Sequence, residues 1–473
     1  MSIETAETSR TATAAGEARP RRRVLVVSYH FPPAGDVGIH RTLRFVKWLP
    51  HFGWEPIVLT TSNGKVQAID RSMLDRVPQV EVHRTRSFEL LNYGKSIDGR
   101  EPRRVPRLLS RLVCEPPRDL WKYFAVPDDK RGWVPYAVRA GAELVRSGGI
   151  DAVYVSGKPF SSYFIGERLG RRFGIPWIMD LRDLWTLNRR NRPRSRWRSW
   201  AERRLERRFV RSASAVIANT PDNRRDFMAA YSECDPRKFL AITNGYDRED
   251  FSGLCEEKYE KFTIAYSGAF YFANRRRPSL YRRLLGLDHR RRELLETYSP
   301  HCLFEALHNL FARRSELKDC IQVVMSGPGC GKIRGLPERY GLEQNVKPLG
   351  WLTYREAVEM VKRAHVSLLV LSRGEESRGW IPSKLFQYLG SGNPLIALVP
   401  DGDVREIVRR TQAGVTLEPD DVAGAEQAIL DMYERYRDST EAYRPDWKSV
   451  EQYEARQLTG QLADCLDGVV EGA

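Results

Sequence analysis

Short apolar runs alternate with helical patterning along almost the whole chain, and the runs fall into two series. In the first, Val24, Leu25, Val26 and Val27 are consecutive within residues 23–28, which predicts a strand covered on both faces. Residues 31–38 are a Gly/Pro loop, and Leu43, Val46 and Leu49 then recur at helical spacing within 39–51. Residues 56–60 read as the next strand. Strand, glycine loop, helix, strand is the opening of a parallel α/β sheet. Residues 84–136 are less regular and rich in Arg, Pro and Trp. The rhythm resumes with a strand at 152–155, a helix at 161–173, and strands at 176–180, 215–219 and 239–243. A second series has strands at 262–266, 321–325, 366–371, 394–398 and 415–417, with helical patterns between them and an Arg-dense insertion from Arg275 to Arg292.

This pattern predicts an α/β protein of two Rossmann-like, doubly wound domains facing a central cleft. Residues 1–20 are read as a disordered tail, 21–245 as the first domain, 246–261 as a linker, 262–440 as the second domain, and 441–473 as a helix returning to the first. Ligands in such sheets bind beyond the carboxyl ends of the strands. A length of 473 residues fits two or three domains, and 41% apolar residues suffice for their cores.

Composition narrows the setting. Between Ile3 and Val24 there is no large apolar residue, so the tail is neither a packed element nor a signal peptide. No run approaches the length of a membrane span. The seven cysteines are scattered without a CxxC pair, which speaks against a disulfide framework or zinc site and for a reducing cytoplasm. The net charge of +16 calls for anionic partners.

Several motifs fail on inspection. Ser326-Gly327-Pro328-Gly329-Cys330-Gly331-Lys332 resembles a phosphate loop, but the first glycine and final hydroxyl positions are Ser326 and Ile333. Asp401-Gly402-Asp403 could be a metal pair, yet Asp403 precedes a helical pattern and reads better as its N-cap. The eight histidines form no HExxH pair. Trp197-Arg198-Ser199-Trp200 and Arg203-Arg204 mix aromatics with arginines as nucleic-acid binders do. Glu202 and Glu206 interrupt that run, and no nucleic-acid-binding motif accompanies it. Nucleic acid is therefore not an expected partner.

Other segments carry a specific resemblance. Ser28-Tyr29-His30-Phe31-Pro32-Pro33-Ala34-Gly35, Arg41 to Leu49, and Gly53-Trp54-Glu55-Pro56 resemble the start of family-4 glycosyltransferases. So do Asp180-Leu181-Arg182-Asp183-Leu184-Trp185, Ala218-Asn219-Thr220 and Thr243-Asn244-Gly245-Tyr246-Asp247. Tyr266-Ser267-Gly268 and the stretch from Ile381 to Leu389 resemble the family's donor-binding half. The similarity runs from about Val24 to Tyr436.

The resemblance implies a GT-B fold, with the first domain on the acceptor side and the second on the donor side. It implies retaining transfer of a sugar from a nucleotide-diphosphate donor to an acceptor sugar, with no metal or other cofactor. Lys384 is then the residue that meets the donor diphosphate, beside the N-terminus of its helix. Arg275, Arg276 and Arg277 compete for the role of a second cation, Arg276 and Arg277 as catalytic groups and Arg275 in donor binding. Gly35, Gly38, Gly268, Ser383 and Gln387 complete the expected donor set, although Gly35 and Gly38 can equally be turn glycines. Asp180, Arg182 and Asp183 are expected to line the acceptor side of the cleft, the alternative being a surface ion-pair network.

Two departures from the family stand out. Where it often carries two glutamates eight positions apart, this chain has Gly379 and Gln387. Where it often carries a first-domain histidine near the sugar, Ser161, Ser162 and Tyr163 stand, which leaves the group that stabilises the sugar cation unassigned. The expected setting is cytoplasmic, at the inner face of a cell membrane, in cell-surface polysaccharide or glycolipid synthesis. Residues 103–113, with Trp121, Tyr123 and Phe124 beyond them, could lie in an anionic headgroup layer near a polyprenyl-linked acceptor, or pack as an ordinary helix. A GT-B-like epimerase or phosphorylase remains the rival enzyme reading.

Overall fold

A computed structural model describes residues 22–35, 38–66, 69–88, 95–96, 125–189, 196–268, 298–327, 330–333, 335–440 and 443–472. Its first sheet contains β1 (Arg22–Ser28), β2 (Trp54–Thr61), β3 (Glu81–Thr85), β4 (Ala152–Gly157), β5 (Trp177–Leu181), β6 (Ala215–Ala218) and β7 (Phe239–Ala241). They are all parallel and ordered β3-β2-β1-β4-β5-β6-β7. The second sheet contains β8 (Phe262–Ser267), β9 (Ile321–Ser326), β10 (Val346–Gly350), β11 (Val366–Val370), β12 (Leu395–Leu398) and β13 (Gly414–Leu417), ordered β10-β9-β8-β11-β12-β13. Both sheets reverse their strand order once, between β1 and β4 and between β8 and β11, and those switch points open the crevices where such folds bind ligands.

Among the described residues, the helices of nine or more residues are α1 (Ile39–Trp48), α2 (Val134–Arg146), α3 (Tyr163–Phe173), α4 (Arg196–Ser212), α5 (Pro221–Ala230), α6 (His301–Arg313), α7 (Tyr354–Arg363), α8 (Ser383–Ser391), α9 (Asp403–Thr411), α10 (Val422–Arg437) and α11 (Ala455–Glu471). The interior strands are apolar on both faces because helices cover both. Leu25 and Val27 join the core with α2 and α3, whereas Val24 and Val26 pack with α1 and α11. Through Leu458, Leu462 and Leu466, the last helix is thus part of the first domain's core. The chain crosses back beside the linker, where Tyr246 N donates to Tyr453 O (3.0 Å) and Ala455 N to Tyr246 O (2.7 Å).

Of the strands in these two sheets, β3 and β10 escape the sequence pattern. Each is an edge strand of its sheet, β3 with no buried residue and β10 with only its first residue buried, so neither needs a continuous apolar run.

One buried ion pair ties the first domain together and corrects an expectation. Asp180 is 0% exposed and does not line the cleft. Its Oδ1 accepts from Arg41 Nη2 (2.7 Å), and its Oδ2 accepts from Arg41 Nε (3.0 Å) and Tyr154 Oη (2.7 Å). Arg41 Nη1 donates to Thr243 O at 2.8 Å. Helix α1, strands β4 and β5 and the end of the domain are joined by one satisfied network. Removing one partner strands the other charge in a dry interior, which typically costs about 3–5 kcal/mol. Asp180→Ala should therefore lower unfolding stability in urea by about that amount, and an unchanged midpoint would contradict the assignment.

Candidate active site

The second domain's site is built on the start of α8. Pro382 holds an extended conformation before the helix and supplies no side-chain cap; its carbonyl takes up Leu385 N (3.1 Å), which leaves the Ser383 and Lys384 amides without an intrahelical acceptor. Leu385, Phe386, Tyr388 and Leu389 anchor the helix in the core, which pulls Lys384 inward until it is only 9% exposed. Its Nζ donates to Tyr266 Oη at 2.7 Å and lies 3.9 Å from the Tyr266 ring centre and 5.6 Å from that of Tyr298. Burial pushes the ammonium down to about 7. Among the described residues no carboxylate forms an ion pair with it.

Gly268 completes the cradle. Its φ is +144°, and a Cβ there would stand 2.6 Å from Lys384 Nζ, so only glycine leaves the amine room at the end of β8. Ser267 N donates to Tyr388 Oη (2.9 Å), fixing the strand end to α8. Ser383 is the first residue of α8 and half-buried. Gln387 lies one turn beyond Lys384, half-buried, with no side-chain hydrogen bond among the described residues. Lys384, Gly268, Ser383 and Gln387 are thus brought together, beside the switch point of the second sheet.

On the first domain, Gly38 caps α1, and a side chain there would strike the Arg182 guanidinium. That contact explains the glycine; its φ of −67° makes no such demand. Arg182 donates through Nε to Gly157 O (2.7 Å) and through Nη2 to Lys158 O. Burial lowers its pKa. Asp183 pairs with Lys158 Nζ at 2.8 Å, both side chains about two-fifths exposed (40% and 42%). Arg182 and Asp183 therefore do sit where α1, β4 and β5 meet, at the first sheet's switch point. Gly35 lies in the loop after β1, half-buried. Arg275, Arg276 and Arg277 and the 103–113 segment fall outside the described residues.

Sequence reasoning overlooked Lys158 and Asp128. Asp128 accepts from Ser161 N (2.9 Å), Ser161 Oγ (2.7 Å) and Lys130 N (3.0 Å), and burial raises its pKa. It lies in the irregular stretch, and no local spacing links it to Ser161, 33 residues away. Tyr163 Oη donates to Asp180 O at 2.8 Å, which holds its hydroxyl within the fold.

The domains touch across the cleft at α5. Thr220 Oγ1 donates to Gly379 O (3.3 Å), and Arg378 Nε stands 3.4 Å from Asp222 Oδ2. Gly379 has no room for a side chain, since a Cβ would meet Asn223 Oδ1 at 2.7 Å. Asp403 is not the cap of α9; Gly402 holds that position without a side-chain bond. Instead Asp403 Oδ2 accepts from Asp222 N of the facing domain (3.2 Å), and burial raises its pKa to about 6. Long-range pairing has overridden the local capping preference. Among the described residues no group of three or more His, Cys, Asp or Glu is placed to hold a metal ion.

Residues 37–245 match the model of the glycosyl transferase 4-like domain. No curated protein matches the chain in sequence. Among solved structures, sucrose-phosphate synthase from Thermosynechococcus elongatus is 15% identical, with a TM-score of 0.61 over 96% of this chain and all (100%) of that one. Anabaena HepE in complex with UDP and glucose is 13% identical, with a TM-score of 0.56 over 94% of this chain and 100% of that one. The lipopolysaccharide outer core galactosyltransferase WaaB is 11% identical, with a TM-score of 0.54 over 94% and 99%. At such identities the likeness is one of fold. The matched domain and the two facing parallel sheets define a glycosyl-transferring enzyme of GT-B architecture. Residues 37–245 are thus a glycosyl transferase 4-like domain.

The close approach of Gly268 to Lys384 is testable on its own. Gly268→Ala should cost about 1–3 kcal/mol, the usual price of a side chain in a sparsely populated backbone region, plus the displacement of Lys384. Adding Lys384→Ala removes the clash, so urea denaturation of the double variant should recover part of that loss. Simple additivity of the two substitutions would show that they do not touch.

Proposed function

We propose that this enzyme transfers a sugar, with retention, from a nucleoside-diphosphate donor to an acceptor sugar in cell-surface polysaccharide or glycolipid synthesis, the acceptor being polyprenyl-linked and met at the cytoplasmic face of a membrane. The observation that carries the donor assignment is Lys384: a buried cation with no carboxylate partner among the described residues, at a helix start where the peptide dipoles already favour an anion. A diphosphate satisfies both features. As the sugar–phosphate bond breaks, charge collects on the leaving diphosphate, and a preorganised ammonium and backbone amides stabilise it without a metal ion. Gln387, on the same face one turn on, is positioned to accept a hydrogen bond from the donor ribose. Arg275, Arg276 and Arg277 are the candidates for a second cation.

On the first domain, Arg182, Asp183, Lys158 and Asp128 are the polar groups offered to the acceptor and the transferred sugar in this reading. Anabaena HepE, whose structure holds UDP and glucose, supports a uridine nucleotide as the first donor to try.

Incubation with a panel of sugar nucleotides and lipid-linked acceptors, followed by proton and phosphorus NMR, tests the reaction. The expected outcome is a new glycosidic bond with the donor's anomeric configuration and stoichiometric release of nucleoside diphosphate. Sugar epimerisation without transfer, or a reaction that needs inorganic phosphate, would replace this reading with an epimerase or a phosphorylase. Lys384→Ala should lose at least about tenfold in kcat/KM, because a charge-assisted contact exceeds ~1.4 kcal/mol. An equally active variant would show that the donor site lies elsewhere.

A further inference from the structure

Helix α4 carries an outer face made almost entirely of two residue types. Apart from Ser212 at its end, every exposed position of the helix is arginine or tryptophan. At 100° per residue these positions fall within a sector of about 140°. Trp197 and Trp200, one turn apart at the start of the helix, are 49% and 61% exposed. Arg196, Arg203 and Arg204 surround them, with the Arg204 guanidinium 5.9 Å from the Trp200 ring centre. The acids that interrupt the sequence, Glu202 and Glu206, point away from this face. Glu202 bonds Arg198 along one flank (2.8 Å), and Glu206 is fully buried against Thr186 and Tyr231.

The neighbouring helix extends the patch. Phe209 of α4 packs edge-on against Phe164 of α3, with ring centres 4.9 Å apart. Arg208 bridges to the buried Glu167. The exposed residues of α3 are Arg168, Arg171 and Arg172, again with no acid among them. Two packed helices thus present an arginine-rich face, with the two indoles at one end and Glu233 pairing with Arg207 (3.6 Å) and Arg211 (3.1 Å) at the other. That end follows the loop that leaves β5 past Arg182 and Asp183, so the indoles lie on the cleft side of the domain.

We propose that the α3–α4 face docks the enzyme on an anionic lipid bilayer, with Trp197 and Trp200 seated at the boundary between headgroups and acyl chains. Arginines supply the attraction to anionic headgroups, and each indole has an apolar body with an N–H that can remain in the polar layer. The face is a helix surface rather than a groove, and single-stranded nucleic acid requires a groove that follows its backbone. Docking here turns the acceptor rim toward the membrane. The proposal deepens the reading of a lipid-linked acceptor, and it locates the contact on α3 and α4, distinct from residues 103–113.

Co-sedimentation of the full chain with vesicles of phosphatidylcholine and phosphatidylglycerol (4:1) tests it, beside pure phosphatidylcholine vesicles and a single-stranded RNA. The expected result is binding to the anionic vesicles alone, weakened at least about tenfold in Trp197→Ala/Trp200→Ala and again in Arg203→Glu/Arg204→Glu, because each basic charge near the surface adds to the attraction. Both pairs are exposed, so urea midpoints and UDP affinity should match the parent. Vesicle binding unchanged in both double variants, binding indifferent to lipid charge, or tighter binding to RNA than to vesicles would overturn the proposal. Loss of UDP binding by the parent enzyme would instead count against the donor assignment.

Discussion

The second domain is arranged around an ammonium that has been taken out of water with no counter-ion among the described residues. Lys384 also stands at the wrong end of its helix, since α8 presents its positive pole to a positive charge. Desolvation acts against the charged form and brings the amine down to about 7, and the helix dipole favours an anion, not a cation, at this end. What holds it in place is the packing of α8 in the core, the Tyr266 hydroxyl, and the gap left by Gly268. An arrangement that is unfavourable by itself becomes favourable when a doubly charged group enters between the lysine and the helix start. The same features that weaken the free site therefore strengthen the bound one, and they are present before the ligand arrives.

A contrasting solution is seen in the first domain. Arg41 and Asp180 are equally buried, but they neutralise each other and satisfy their remaining hydrogen bonds locally. That pair fixes α1 against β4 and β5, and so fixes the frame on which Gly38 and Arg182 meet. Across the cleft, α5 reaches the second domain through Thr220 and Asp222 and fills the space beside Gly379. A glutamate side chain at 379 would collide with Asn223 in this arrangement. The departure from the family's usual pair of glutamates thus goes together with close contact between the domains, and the sugar-facing groups must be sought on the first domain's rim.

How much of this was legible in the sequence follows from where each signal is written. Interior strands such as β1 and β9 must be apolar on both faces, so their runs are visible in any short window. Strands β3 and β10 sit at sheet edges and carry no such requirement. Lys384 was readable because Pro382, Ser383 and the apolar positions around it mark a helix start, but its burial depends on Tyr266, 118 residues away. Asp180 was misplaced for the same reason. A charge after a strand looks alike whether it faces solvent or an arginine 139 positions earlier. Asp403 shows the limit of local rules, because its natural partner as a cap was its own helix and its actual partner is the opposite domain.

The most direct test of the account is the proton taken up when a nucleoside diphosphate binds. With Lys384 near 7 in the free enzyme, a bound diphosphate raises its pKa, so binding above pH 7 must draw a proton from solution and affinity must fall as pH rises through that range. Calorimetric titration with UDP at pH 8, in two buffers of different ionisation enthalpy, measures that uptake. The parent enzyme should take up close to one proton more than Lys384→Met, and the difference should shrink at pH 6, where the lysine is already charged. Equal proton uptake by the two proteins at both pH values would contradict the claim that the diphosphate is met by Lys384.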